Sequence, residues 1–279
     1  MNQMKTFILI AALTGVLVWI GGAYGGQSGM VLALVIGLVM NGVSYFFSDK
    51  IVLASYGAQV VTQAEAPELY AIVANLAQRA GLPMPRIAII PEDTPNAFAT
   101  GRNPEHAVVA VTEGIMRILS RPELEAVIGH ELGHVKHRDI LIGSLAAVLA
   151  QAIMFLSRMA MWFSPRDDEG RANPLAGLAI MILGPLAAIL LQMALSRSRE
   201  YLADDYSARL TGRPDMLASA LERLQSYNQQ LPMQAAQPAT AHMMIVNPLS
   251  GGGLMSLFST HPPMEVRVER LRRMPVEAR

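Results

Sequence analysis

Four long apolar stretches constrain this chain more than any other feature of its sequence. They cover residues 6–24, 29–47, 140–163 and 174–195. Each approaches the roughly 20 apolar residues that a helix needs to cross a bilayer. Of the 279 residues, 52% are hydrophobic and 16% are charged, which is more apolar than a soluble domain usually is. We therefore expect an integral membrane protein with about four transmembrane helices.

The first two stretches are interpreted as a membrane hairpin. Lys5 and the small residues after the first stretch are also compatible with a signal peptide. A second apolar stretch follows within a few residues, however, and this favours the hairpin. We assign residues 1–48 to an N-terminal transmembrane hairpin. Residues 49–279 are assigned to a second domain, which is interrupted by a second hydrophobic hairpin at 140–195.

The more polar segments predict a mostly α-helical α+β fold with a small β-sheet. Helices are expected where apolar residues recur with helical spacing, and two β-prone runs predict strands at 86–90 and 106–111. Ser120, Pro122 and Glu123 form a capping-box pattern at the start of a helix that runs through His137. The other predicted helices are 67–80, 197–210, 214–229 and 264–274, and 231–260 is expected to be a long loop.

Charge and cysteine content exclude several classes of function. The chain has 22 basic and 22 acidic side chains, so no net field draws nucleic acid toward it, and we expect no nucleic-acid partner. It has no cysteine, which excludes disulfides, thiolate metal sites and cysteine nucleophiles. Any metal must be bound by histidines and carboxylates.

Positions 130–134 read His-Glu-Leu-Gly-His, the HExxH pattern. Four residues advance a helix by slightly more than one turn, so His130 and His134 project from one face and can share one ion. Two imidazoles and a carboxylate leave a tetrahedral position on zinc for water. Glu131 would act as the general base that takes the proton of this water during attack on a peptide carbonyl. The pattern predicts a zincin-like catalytic domain with one zinc ion per subunit.

The motif needs a third ligand. His137 lies about 10 Å along a straight helix from His130, which is too far for one zinc ion, and we interpret it as an interfacial residue. Glu200 is the better candidate, because a second helix could present it to the metal and present Asp204, one turn later, to a ligand imidazole. The alternative, which spacing leaves open, is a solvated charged face with i, i+4 pairs.

These residues resemble the HtpX-type membrane zinc metallopeptidases, relatives of the CAAX prenyl proteases. The resemblance extends over essentially the whole chain, through the two N-terminal spans and the segments 96–101, 130–139, 196–204, 247–253 and 260–263. In that family the two histidines and the later glutamate bind zinc and the intervening glutamate is catalytic. The resemblance implies these roles for His130, His134, Glu200 and Glu131, and a supporting role behind the ligands for Asp204.

The resemblance also suggests where a polypeptide substrate binds. It implies that Asn96, Ala97, Phe98 and Ala99 form an edge strand against which an extended substrate pairs by β-augmentation. An ordinary turn followed by a buried Phe98 is the alternative. His261 would polarise the scissile carbonyl or stabilise the oxyanion, although a His-Pro-Pro helix start explains it as well.

Topology follows from the position of the ligands. Because His134 and Glu200 must reach one ion, the segment between them crosses the membrane twice or not at all. The loop 25–28 has no charge, whereas basic residues flank the catalytic side, at Lys50, Lys136, Arg138, Arg197 and Arg199. The positive-inside rule then predicts that the site faces the cytoplasm, although Arg166 and Arg171, in the loop between the third and fourth apolar stretches, weaken that prediction. By resemblance, this multi-pass protein of a bacterial inner membrane would cleave damaged or misfolded membrane proteins.

Two other hypotheses remain open from the sequence. One is a catalytically inactive scaffold that binds metal only structurally, against which the intact Glu131 argues. The other is a metal-dependent hydrolase of a small substrate, which would need a closed cavity rather than a groove for an extended chain.

Overall fold

A computed structural model of the protein describes residues 2–162, 197–230, 233, 239–247 and 262–275. Its helices are α1 Asn2–Ser55, α2 Pro67–Ala80, α3 Glu113–Ile118, α4 Arg121–Lys136, α5 Asp139–Trp162, α6 Arg197–Thr211, α7 Pro214–Gln230 and α8 Met264–Arg272. The strands are β1 Gln59–Val61, β2 Arg86–Ile90, β3 Ala97–Thr100 and β4 Val108–Thr112. The fold is therefore mostly helical with a small sheet, as the sequence predicts.

The first helix is divided at Gly26, whose φ of 57° and ψ of −144° lie outside the helical region. Asn41 Nδ2 donates to Thr14 Oγ1 over 2.9 Å, so the halves on either side of Gly26 fold back on each other. The sequence predicts a hairpin of two apolar helices here, and its crossing of a membrane stays a prediction. The second half continues past the predicted boundary at residue 48 and ends at Ser55.

One helix among the described residues is long and apolar enough to cross a membrane, and it covers 26–55. Only 17% of its most apolar window is buried by the rest of the protein. This helix contains the predicted span 29–47. The predicted span 140–163 begins in α5, in which 139–151 is a shorter apolar stretch. The span 174–195 lies outside the described residues.

The sheet separates helices α2 and α4 from helices α1 and α5. Its strand order is β1-β2-β4-β3, with β2 and β4 parallel and both outer pairs antiparallel. Alternate residues of each strand face opposite sides. Ile87, Val109 and Val111 pack on the side of α2 and α4, whereas Ala88 and Phe98 pack on the side of α1 and α5. Burial on both faces explains why β3 and β4, whose residues are all buried, are almost entirely apolar.

Local signals explain the element boundaries closest to the site. Pro67 begins α2 because proline fits the first helical turn, and Gly81 ends it with a φ of 60°, a left-handed conformation that glycine adopts without strain. The capping box at Ser120 and Glu123 begins α4 as predicted. That helix ends at Lys136, and His137 is its cap rather than its last turn.

Candidate metal centre

The two motif histidines converge at a single point on the buried face of α4. Their Nε2 atoms are 3.1 Å apart, close to the roughly 3.3 Å expected between two nitrogens bound to one tetrahedral zinc ion. His130 is 1% exposed, so almost no solvent reaches its ring. In both rings Nδ1 faces a carboxylate instead, which leaves the two Nε2 lone pairs directed at the same point.

Helix α6 brings the third candidate ligand. Glu200 Oε1 lies 3.5 Å from His134 Nε2, and Glu200 Oε2 lies 3.7 Å from His130 Nε2. Ligand atoms of these three residues all lie within 4.8 Å of one another. The predicted triad His130, His134 and Glu200 is thus brought together in space, and the charged-face alternative does not describe Glu200, which is 2% exposed.

Small residues allow α4 and α6 to approach this closely. A Cβ atom added to Gly133 would lie 3.1 Å from the Cα atom of Ala203, and one added to Gly129 would lie 2.9 Å from Ser207 Oγ. Ser207 Oγ also donates to the Ala126 carbonyl over 2.6 Å, across the same interface. Glycines one turn apart on α4 therefore set the spacing that places Glu200 opposite the histidines.

Each motif histidine is held by its own carboxylate, and each carboxylate is held by an arginine. His130 Nδ1 lies 2.9 Å from Asp204 Oδ1, and Arg267 donates to both oxygens of Asp204 over 2.9 and 2.7 Å. His134 Nδ1 lies 3.2 Å from Asp139 Oδ2, and Arg199 Nη1 donates to Asp139 Oδ1 over 2.9 Å. Such partners keep the proton on Nδ1 and leave Nε2 free to bind a metal.

Sequence reasoning anticipated Asp204 but missed Asp139, Arg199 and Arg267 in these roles. Asp139 lies five residues after His134, and a continuous helix would place it on a different face. Arg199 lies next to Glu200, and its position predicts only a positive charge near the membrane or a member of a solvated charged face. Arg267 comes from α8, at the other end of the chain, and no local pattern connects it to the motif.

The charges around the triad fit a divalent cation. Four buried carboxylates and two buried guanidiniums lie around the histidines, those of Glu131, Asp139, Glu200, Asp204, Arg199 and Arg267. When ionised they carry an excess of two negative charges, which one divalent cation neutralises. Buried charge without compensation is costly, so the protein is suited to a metal such as Zn²⁺ between these ligands.

Glu131 lies beside the triad and is not one of its members. Burial, together with the charge of Glu200, raises the pKa of Glu131 to about 7, although His134 and the Ala99 backbone N–H oppose this shift. Within the described part of the chain, Glu131 Oε1 has no hydrogen-bond partner. A carboxyl group with a pKa near neutrality and an unsatisfied oxygen is suited to accept a proton and pass it on.

The pKa values of the other groups follow from the same environment. Burial lowers the pKa of His130 despite its bond to Asp204. Burial lowers the pKa of His134, but in the metal-free site the hydrogen bond with Asp139 and the charge of Glu200 together raise it to about 9. Burial raises the pKa of Asp204, but the guanidinium of Arg267 and the hydrogen bond with His130 together lower it to about 2. Asp204 thus stays ionised near neutral pH.

The predicted edge strand is present as β3, which leaves out Asn96, and it already has a partner; its role in substrate binding stays a prediction. β3 lies at the edge of the sheet, and its Ala99 N–H points to Glu131. Its Ala97 carbonyl accepts from the Ile245 N–H over 3.0 Å, and Asn96 Nδ2 donates to the Val246 carbonyl over 2.8 Å. Phe98 is fully buried on the opposite side. One edge position of β3 is therefore occupied by the chain itself.

The segment 239–247 lies in the predicted loop 231–260 but is packed against the site. It contains a short 3-10 turn, Ala241–Met243, and the side chains of Met244 and Ile245 are buried. Together with Ala99 and the triad it lines a partly open cavity of about 30 Å³. That volume holds an ion or one or two water molecules.

Two further predicted residues lie elsewhere. His137 is exposed and stacks edge-on against Tyr206, with ring centroids 5.6 Å apart, outside the triad as predicted. His261 lies outside the described residues.

Comparison with known proteins agrees with this geometry. Residues 63–275 match Peptidase family M48. The Protease HtpX homolog of Syntrophobacter fumaroxidans is 54% identical over 280 residues, which cover 98% of this chain and 99% of that protein. The Protease HtpX homolog of Ralstonia pickettii is 56% identical over 276 residues, which cover 98% and 96%. The crystal structure of S. mikatae Ste24p has a similar fold, with a TM-score of 0.51 and 18% identity over 97% of this chain and 65% of Ste24p.

Proposed function

The chain belongs to peptidase family M48, and from that membership we propose that it is an endopeptidase that holds one zinc ion at His130, His134 and Glu200. It is a membrane-bound metallopeptidase, and its substrates are polypeptides. The observation that carries the assignment is the convergence of two Nε2 atoms 3.1 Å apart with the Glu200 carboxylate, beside a buried Glu131. This is the donor set of a peptidase centre rather than of a structural site closed by four protein ligands.

The donor set supports zinc over the common alternatives. Magnesium and calcium prefer shells of oxygen ligands, whereas two imidazoles and one carboxylate suit zinc and leave a position open. When bound, the ion supplies Lewis acidity, which polarises a peptide carbonyl and lowers the pKa of a water molecule. Asp204 and Asp139 hold the rings of His130 and His134 so that both present Nε2.

Glu131 carries the proton transfers in the proposed mechanism. Its buried carboxylate lies beside the ligands, and its Oε1 is available to accept a proton from the attacking water. The protonated carboxyl then donates that proton to the leaving amine. Because the site is buried, little bulk water competes for this proton. General acid–base catalysis of this kind contributes typically about 10² to 10⁴-fold.

The substrate is proposed to bind as an extended strand at Asn96, Ala97, Phe98 and Ala99. β3 is an edge strand, and its Ala99 N–H is directed at the Glu131 carboxylate, so a peptide paired there would lie beside the general base. Displacement of Ile245 from the Ala97 carbonyl would open the edge position that it occupies. His261 is proposed to assist at the scissile carbonyl, on the resemblance alone.

The membrane arrangement is proposed to have four spans with the site at the cytoplasmic face of a bacterial inner membrane. Residues 1–48 would form the first hairpin, and 49–279 the catalytic domain interrupted by a second at 140–195. Contact between Asp139 and Arg199 over 2.9 Å supports a return of that segment to the side that it left. A site so close to apolar spans favours membrane proteins that are damaged or misfolded as substrates, with the lipid bilayer around them.

Proteolysis by the detergent-purified full chain tests the proposal. The substrate is an unfolded casein-like protein, and the wild type is compared with Glu131→Gln and with the matched control Glu125→Gln, a partly exposed glutamate of the same helix. We expect one zinc ion per chain in all three proteins and a loss of cleavage of at least about 10²-fold in Glu131→Gln alone. Equal cleavage by the wild type and Glu131→Gln would place the chemistry elsewhere.

Two further measurements test the finer assignments. Metal-free protein reloaded with Zn²⁺, Mg²⁺ or Ca²⁺ should recover cleavage with zinc, and recovery with magnesium alone would contradict the assignment of the ion. A topology reporter fused after Asp168 should report the periplasm, whereas a cytoplasmic signal would contradict the second hairpin.

A further inference from the structure

Asp139 and Arg199 form a buried ion pair directly behind the candidate ligand His134. Arg199 Nη1 donates to Asp139 Oδ1 over 2.9 Å, and Asp139 Oδ2 lies 3.2 Å from His134 Nδ1. The two side chains of the pair are 8% and 5% exposed. We propose that Arg199 and Asp139 are positioning residues for the metal site: Arg199 holds the Asp139 carboxylate, and Asp139 holds the His134 ring with Nε2 toward the ion. This inference rests on the proposed zinc site.

The backbone takes an unfavourable conformation to bring Asp139 back to His134. On a continuous helix a residue five positions after His134 would be rotated about 140° away from it. Helix α4 instead ends at Lys136, and Arg138 has a φ of 58°, among the described residues the sole non-glycine residue with positive φ. Such a conformation is disfavoured for a residue with a Cβ atom, and it persists where surrounding contacts require it. Here it turns the chain so that the Asp139 carboxylate faces the ring.

The pair at His134 repeats the arrangement at the other motif histidine. His130 is held by Asp204, and Arg267 donates to Asp204 from its Nε and Nη2 atoms. At both histidines a buried carboxylate accepts a hydrogen bond from Nδ1 of a candidate ligand, and a buried guanidinium from another element neutralises that carboxylate. Because the two sets have no residue in common, the repetition argues that each arginine positions its histidine in addition to packing locally.

The ion pair also joins the two ends of the hydrophobic segment 140–195 at the metal site. Asp139 is the first residue of α5, which enters that segment, and Arg199 lies in the first turn of α6, next to the candidate ligand Glu200. Because Arg199 is adjacent to Glu200, the pair links the helix that follows His134 to the helix that carries the third candidate ligand.

Zinc affinity of the full chain in detergent tests the inference without reference to cleavage. The variants are Arg199→Met, which keeps an apolar stem and removes the charge, Arg199→Lys, which keeps the charge without the fork, and Asp139→Asn. Arg197→Met is the matched control, because Arg197 is an exposed arginine of the same helix. Affinity is measured by competition with a zinc chelator, and the state of His134 by NMR of ¹⁵N-labelled histidine.

We expect Arg199→Met and Asp139→Asn to weaken zinc binding by about 10- to 100-fold, as loss of partners behind metal ligands does. Arg199→Lys should recover part of the loss, and Arg197→Met should bind like the wild type. The NMR spectrum of Arg199→Met should show that His134 no longer keeps its proton on Nδ1 alone. Binding within twofold of the wild type in both Arg199→Met and Asp139→Asn would overturn the inference.

Two additions keep the test decisive. If Arg199→Met does not fold, the double variant Arg199→Met with Asp139→Asn removes both charges, and its zinc affinity replaces that of the single variant. The failure of the inference is also distinct from that of the proposed function. A wild type that binds no zinc contradicts the proposed function, whereas a wild type that binds zinc no better than the variants contradicts only the positioning role.

Discussion

Arg267 offers the sharpest test of how the buried charges stabilise the catalytic domain. Its side chain is 0% exposed, and it donates to both oxygens of Asp204 and, over 3.1 Å, to the Ile245 carbonyl. The change Arg267→Met preserves much of the stem but removes the guanidinium. It leaves the Asp204 carboxylate buried with one positive partner fewer, and it leaves the Ile245 carbonyl without this donor.

The expected loss is large because one partner of a buried pair remains. Removal of one partner of a buried salt bridge costs about 3 to 5 kcal/mol. In a domain of 150 to 250 residues each kcal/mol changes the melting temperature by about 2 to 4 °C, so Arg267→Met should melt about 6 to 20 °C lower. Arg272 is the matched control on the same helix, because its pair with Glu222 is 61% and 44% exposed and should contribute about 0 to 1 kcal/mol.

The assay is thermal unfolding of metal-free protein in detergent, followed by circular dichroism. All variants carry Glu131→Gln, so that proteolysis of unfolded chains does not distort the curves. The change Arg272→Met should lower the melting temperature by no more than about 4 °C. If Arg267→Met melts no lower than Arg272→Met, the Asp204–Arg267 pair does not stabilise the domain as its burial implies, and the reasoning about buried charge compensation fails.

Two other predictions concern the helix that carries the motif. Gly133→Val should force α4 and α6 apart, since even a Cβ atom there lies 3.1 Å from the Cα atom of Ala203. We expect the free energy of unfolding to fall by about 1 to 3 kcal/mol and zinc to bind more weakly in chelator competition. Unchanged zinc affinity would show that helix spacing does not set the ligand geometry. Glu123→Gln should cost about 1 to 2 kcal/mol at pH 7, measured as the melting difference in metal-free protein. Burial raises the pKa of Glu123, but hydrogen bonds from Ser219 and Ser120 outweigh it and lower the pKa below its ordinary value of 4.5. The stability that the ionised Glu123 contributes is therefore fully present above pH 4.5 and is lost as the pH falls through the lowered pKa. If the melting difference between wild type and Glu123→Gln stayed constant over that pH range, the predicted pH dependence would be wrong.

Local parts of the fold could be predicted because their signals lie within a few residues of one another. Helix α2 and strand β2 have the predicted bounds, since a proline start, a glycine stop and a run of β-branched residues each act over one element. The shared face of His130 and His134 follows from the helical repeat alone. The composition of 231–260, rich in Ala, Met, Pro, Ser and Gly, predicts a long loop. Composition carries no information on tertiary packing, so it does not predict that residues 239–247 pack over the site.

The HExxH spacing by itself directs two imidazoles to one helical face and puts Glu131 one position along the helix, so the chemistry of the candidate site can be predicted from the sequence. Only the tertiary structure selects the partners of those residues. Spacing alone leaves a solvated charged face open for Glu200. The close approach of α4 and α6 at Gly129 and Gly133 is what brings its carboxylate to the histidines. Arg267 lies 137 residues from His130 along the chain. It reaches the site because the charge of the buried Asp204 carboxylate must be neutralised by a group close to it in space, wherever that group lies in the sequence.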